Sequence, residues 1–249
     1  MELQKKESAK KELEELKLKY NFVEPNRGNL DDEQIEWRDG KPDYTLANLE
    51  YFKGKKMNHK ADSLEKLVED LVKTWEMEGS HKVNVSQWTT IDHENYKVCS
   101  NGGRVFVGEE SIKIGNYNWL FDGCPKDLYD TEKETFESSH DLFRGSFTNG
   151  FPWELIKVFS GPPKVTFMWR HWGNFTGKYR EHVGNCEFIE LYGFAVVTVN
   201  DNLKIQFIEI FYDPNTYLEV LQRKKSADEL INGKPIVGGT CPFINSKNF

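Results

Sequence analysis

The residue in this 249-residue chain best suited to acid–base work is a histidine on a helix-like segment. Ser138-Ser139-His140-Asp141 lies within Glu132–Phe147, a stretch that reads as a helix over a pocket. An imidazole titrates near neutrality, so His140 suits the role of general acid or base. Asp141 cannot share its target, because neighbours on a helix point about 100° apart. The competing reading is a helix histidine bonded to backbone or solvent. Glu190 and Tyr192 fall two residues apart on the strand-like run CEFIELYGFAVVTV and share a face with Phe194 and Val196. A carboxylate among aromatics has a raised pKa and can act as a base. A tyrosine beside it can donate to a developing oxyanion. His140, Glu190 and Tyr192 are therefore the candidate catalytic groups; if their strand face is solvated, Glu190 and Tyr192 are ordinary surface residues.

Binding chemistry is suggested by Arg170-His171-Trp172 on the preceding strand. Alternation puts Arg170 and Trp172 on one face and His171 on the other. A guanidinium beside an indole can hold an anionic or aromatic ligand. The structural alternative is an arginine that covers the tryptophan or pairs with Glu190. With Trp75, Phe143 and Phe194, these two residues form the candidate ligand-binding set. His81 and His93 have no third ligand at a telling distance, so no metal site is expected. There is no G-x-S-x-G elbow, dinucleotide fingerprint or P-loop, and no cofactor is expected. Cys241-Pro242-Phe243 is a lone signal for a reactive thiol.

These residues need elements to hold them. Leu64, Leu67, Val68, Leu71, Val72 and Trp75 recur at three- and four-residue spacing after Asp62-Ser63, which predicts a capped helix ending near Gly79. Strands are expected over Tyr96–Ser100, Arg104–Val107 and Trp153–Ser160, then in a pair from Val165 onward that turns at NDNLK into IQFIEIFYD. Glu109–Phe121 is ambiguous between helix and strand, and a short helix is expected over Thr216–Lys224. Residues 1–20 read as a solvated arm, because isolated helices of this length are marginal in water. Residues 21–60 mix turn formers with aromatics and read as an irregular extension packed across the domain.

Composition narrows the partners. A net charge of −7 and a pI near 5.5 argue against a nucleic-acid partner. No apolar run approaches the ~20 residues that span a bilayer. The opening MELQKKESAKKELEELK lacks an apolar signal region, and four widely spaced cysteines suit reduced thiols, so a cytoplasmic protein is expected.

WRDGKPDY (37–44), KTWEMEGSHK (73–82), NGGR (101–104), ETFESSHDLFR (134–144), SGPP (160–163), RHWG (170–173), LYGFAVV (191–197) and FYDP (211–214) occur in order along the chain. Together they resemble the pathogen-related protein family, in the SnoaL-like branch of the NTF2-like superfamily. The resemblance implies an α+β fold, an NTF2-like cone whose curved antiparallel sheet carries helices over its concave face. Residues 37–222 would form this domain, 1–36 a charged extension and 223–249 a polar tail. SnoaL-like cyclases use an acidic residue where this chain has Ala195 or Val196. The expected function is binding of a small hydrophobic molecule in the cone pocket, with cofactor-independent isomerase-, cyclase- or dehydratase-type chemistry or as a non-catalytic defence-related binding or interaction protein. Apolar residues on both faces of the long strand add a homodimer as an expected assembly.

Overall fold

Two long strands organise the molecule. In a computed structural model, which describes residues 2–20 and 23–230, β4 (Lys164–Phe175) pairs antiparallel with β7 (Glu187–Val199) from Lys164 opposite Thr198 to Phe175 opposite Glu187. The remaining strands of the sheet are β1 (Lys97–Ser100), β2 (Phe106–Val107), β3 (Trp153–Ser160) and β8 (Ile205–Phe211). The six-stranded order is β2-β1-β8-β7-β4-β3, antiparallel except where β1 runs parallel to β8. Register shifts in β3 and near Val199 mark bulges, which bend a sheet. A separate hairpin joins β5 (Lys178–Tyr179) and β6 (His182–Val183).

The helices are α1 (Glu2–Tyr20), α2 (Thr45–Gly54), α3 (Leu64–His81), α4 (Gly108–Ile114), α5 (Asn116–Leu120), α6 (Phe136–Ser146) and α7 (Pro214–Leu221). The Ser63 side chain caps α3 by accepting from the Lys66 amide at 3.2 Å. α3 continues past Gly79 because Met77 and Glu78 are still packed inside the protein. A capping box of Thr135 and Ser138 starts α6 four residues later than the sequence suggests. The ambiguous stretch 109–121 is helical, in two pieces broken at Gly115.

Odd-numbered residues of β4 and β7 face the main core. Val165, Phe167 and Trp169 pack with Ile189, Leu191, Ala195 and Val197 against Trp75 of α3, Phe143 of α6 and Leu218 of α7. This is the expected α+β cone, with helices over the concave face of a curved sheet.

The N-terminal arm departs from expectation. It is helical and docked: Ala9 and Leu13 are buried against Leu49, Tyr51 and Phe52 of α2 and against Trp172 on the other sheet face. Ala9, Leu13 and Leu16 form an i, i+4, i+7 stripe, and burying it supplies what an isolated helix lacks. The segment after it does cross the domain, but it contains α2 rather than being irregular throughout. Residues 231–249, including Cys241-Pro242-Phe243 and most of the expected tail, lie outside the described residues.

Candidate functional site

The concave side is built from rings. Phe143 of α6 stacks on Tyr117 at 4.3 Å and on Phe121 at 4.9 Å between centroids. Trp75 of α3 donates its indole N–H to Tyr96 Oη at 2.8 Å. Trp169 lies flat across Gly193 of the neighbouring strand, where a Cβ would come within 2.2 Å of the indole; only glycine lets that ring close the space. Of the side chains expected to line a pocket, Trp75 and Phe143 pack into this ring cluster, whereas Trp172 belongs to the cluster on the other sheet face. An apolar crevice remains at the open end, between α3 and the strand ends, with room for about 10 Å³.

His140 is buried in this helix layer, 3% exposed. Its Nδ1 donates to the Phe136 carbonyl at 2.7 Å, and its Nε2 meets no partner among the described residues. Burial pushes the imidazole down to about 4, despite the raising effect of that hydrogen bond. His140 is thus neutral at physiological pH, with one nitrogen committed to its own helix.

Even-numbered strand residues turn to the convex face, where charges replace rings. Glu154 of β3 is fully buried and accepts from the Lys56 and Met57 amides at 2.9 and 3.2 Å. Arg170 Nη1 donates to Glu154 at 2.7 Å and to the Gly54 carbonyl at 2.9 Å, while its Nε donates to Glu190 at 2.5 Å. Lys56 Nζ donates to Glu190 at 2.6 Å and to Tyr192 Oη at 2.7 Å. Trp172 closes the cluster, with the Arg170 guanidinium 4.2 Å over its ring and Tyr51 stacked alongside. Its indole rests on Gly54, where a Cβ would sit 2.2 Å from Nε1.

This environment corrects the expectation for Glu190. Burial does push its carboxyl up, but hydrogen bonds from Lys56 and Arg170 and their charges outweigh it and hold it below the ordinary carboxylate range. Glu190 is an ionised partner of two cations rather than a poised base.

No family model matches the chain. A pathogen-related protein from Hordeum vulgare is 32% identical over 209 residues, covering 82% of this chain and 89% of that protein. The chain belongs to the pathogen-related protein family. Solved structures with related shape include a SnoaL-like polyketide cyclase candidate from Jannaschia, 10% identical over 66% of this chain and 97% of that one, with a TM-score of 0.36. An NTF2-like protein from Anabaena variabilis is 14% identical over 65% of this chain and 97% of that one, with a TM-score of 0.33. Similarity that low carries no argument about chemistry.

In this pathogen-related family member the sequence-derived candidates fall into two groups. Trp75, Phe143 and His140 belong to the helix layer on the concave side. Arg170, Trp172, Glu190, Tyr192 and Phe194 belong to the convex face, and the sheet separates the two sets. The pairing of Arg170 with Glu190 was one of the alternatives open from sequence. Buried charges that went unnoticed there include Glu78, Glu154 and Lys73. Glu78, fully enclosed, binds Lys82 Nζ at 2.9 Å and the Thr89 and Thr90 amides at 2.6 and 3.1 Å. Its i, i+4 spacing from Lys82 was the available signal. Glu154 alternates with apolar neighbours in β3. Lys73 Nζ donates to the Trp153 carbonyl at 2.5 Å, and burial, then the Arg27 charge, push it down to about 7. Among the described residues no cluster of three His, Cys, Asp or Glu could hold a metal ion, and no helix is long and apolar enough to cross a membrane.

Proposed function

We propose that this protein binds a small, neutral, apolar organic molecule at the open end of its cone and carries out no reaction on it. The observation that carries this reading is the crevice beneath α3. Leu, Val, Phe and Pro alone line it, among them Val68, Leu71, Val165 and Val197. Its rim keeps Leu64, Leu67 and Leu203 36%, 44% and 37% exposed. Apolar side chains left partly in water at the mouth of an apolar cleft gain from being covered, at about 25 cal/mol per Å². The crevice has room for about 10 Å³, so a ligand would enter only if the first turns of α3 part from the strand ends.

Acid–base chemistry is the less supported alternative. His140 is committed to the Phe136 carbonyl and lies across the sheet from Glu190 and Tyr192. His171 likewise accepts burial as a neutral ring, pushed down to about 4, with its Nδ1 3.2 Å from the Phe151 carbonyl. The test is a fluorescence titration with Nile red, a neutral probe. Saturable binding that weakens about tenfold or more in Leu67→Asp supports the reading, since a charge at the rim must be desolvated. Equal binding by that variant contradicts it.

A second reading concerns assembly. α1 and α2 cover the convex face at Trp172, but Phe159, Phe194 and Phe211 remain 53%, 41% and 38% exposed on that face. Phe159 and Phe194 meet at 6.0 Å. A second copy of the chain would bury this patch. Light scattering should then report a dimer that Phe194→Lys dissociates; a monomer at high concentration rejects it.

A further inference from the structure

The N-terminal segment lines an open cavity separate from the cone. α1 and residues 24–48 surround about 490 Å³, within the range of small-molecule sites, roughly 300–1,000 Å³. Leu13, Pro25, Leu30 and Pro42 supply apolar wall. Arg27 supplies a positive charge. It lines the cavity while only 8% exposed. Among the described residues its guanidinium has no hydrogen-bond or ion-pair partner, and its Nε is sealed from water. The Tyr44 ring lies 4.0 Å beneath the guanidinium carbon.

A guanidinium cannot shed its proton, so Arg27 is a permanent cation on this wall, and of its three nitrogens only Nε is cut off from water without a partner. The other charged groups of the wall are already matched: Glu24 with Lys17, Asp43 with Lys6 at 3.4 Å, and Lys41 with Asp31. Asn48 gives its amide N–H to Glu24 at 2.8 Å, yet its Oδ1 has no partner, and neither has Tyr44 Oη. Asn48 is 2% exposed. Buried polar atoms without partners are rare, and Arg27 Nε, Tyr44 Oη and Asn48 Oδ1 are three among the residues of this wall.

We propose that this cavity binds a small organic molecule carrying one carboxylate, gripped by Arg27. Tyr44 covers one flat side of the guanidinium and leaves the edge of the fork, whose paired N–H groups match the two oxygens of a carboxylate. Glu24 and Asp43 on the same wall oppose a multiply charged anion such as phosphate. The leucines and prolines receive the organic body.

Ligand-observed NMR and calorimetry on the full chain with benzoate, benzamide and inorganic phosphate test this. Benzoate should bind saturably, with benzamide and phosphate about tenfold weaker or worse. Arg27→Met keeps the stem and removes the charge. It should lose benzoate binding by about tenfold or more while its thermal stability holds or rises, because an unpaired buried charge is gone. A residue that merely braced the fold would lower stability instead. Leu30→Trp, which fills the cavity and keeps Arg27, should also weaken benzoate and remains decisive if Arg27→Met misfolds. Undiminished benzoate binding in either folded variant, a preference for phosphate or benzamide, or no benzoate binding by the parent overturns the proposal.

Discussion

The two faces of the sheet solve the problem of burial in opposite ways. On the concave face Trp75, Trp169 and Phe143 fill space with rings, and the Trp75 N–H is bonded to Tyr96. On the convex face Glu154 and Arg170 bury charge by pairing it, and Glu190 links them to the half-exposed Lys56. The difference shows where ligands can act. A ring-packed interior offers shape and little chemistry, and on the proposed reading it admits a guest only at its margin. The layer over the convex face tolerates charge, and the one buried cation there without a partner among the described residues is the one that faces a cavity.

Truncating each face should expose the contrast. Arg170→Ala leaves the buried Glu154 carboxylate without its guanidinium and should cost about 3–5 kcal/mol in urea unfolding at pH 7. Part of that cost should shrink in acid. Glu190 is held below its ordinary 4.5, so its contribution is present above that pH and lost as pH falls through the lower, folded value. Phe143→Ala should cost a similar ~3–5 kcal/mol through a cavity, but with no such pH dependence. Matching pH profiles for the two variants would dissolve the comparison.

The concave side should have its own, gentler acid sensitivity. His140 and His171 are each pushed by burial to about 4, against an ordinary 6.5. A depressed folded value means stability present above 6.5 and lost as pH falls toward 4, because the unfolded chain takes up the protons first. Each ring should account for about 1–2 kcal/mol between pH 7 and 5. Replacing His140 by Phe should flatten the decline in melting temperature over that window by its share; an unchanged slope would mean His140 is not buried as described.

The smallest effect on stability is expected at the rim. Leu67→Asp should change unfolding free energy by less than about 1 kcal/mol, since the side chain is already 44% exposed. That makes it a clean probe of binding.

Much of this architecture was legible in the residues. The period of α3, the strand alternation and the turn at NDNLK each follow from local spacing, and so does the shared face of Glu190 and Tyr192. Which face would be the interior was not legible, because Ile189 and Leu191 on one side are no more apolar than Phe194 and Val196 on the other. Lys56 and Arg27 escaped notice for another reason. Both lie in a turn-rich segment without periodicity, so nothing in their neighbours says that the fold carries them to the convex layer. α1 was misjudged because its stability comes from α2 and Trp172, partners remote in sequence.

The central claim is that the cone takes an apolar guest at its margin and not in its packed interior. Methyl-detected NMR of leucine- and valine-labelled protein titrated with n-decanol tests it most directly. Saturable shifts at Leu64, Leu67, Val68 and Leu203, with Leu155 and Leu191 in the interior unmoved, are the predicted result. Shifts confined to Leu13 and Leu30 beside Arg27, or none at the rim of α3, would contradict it.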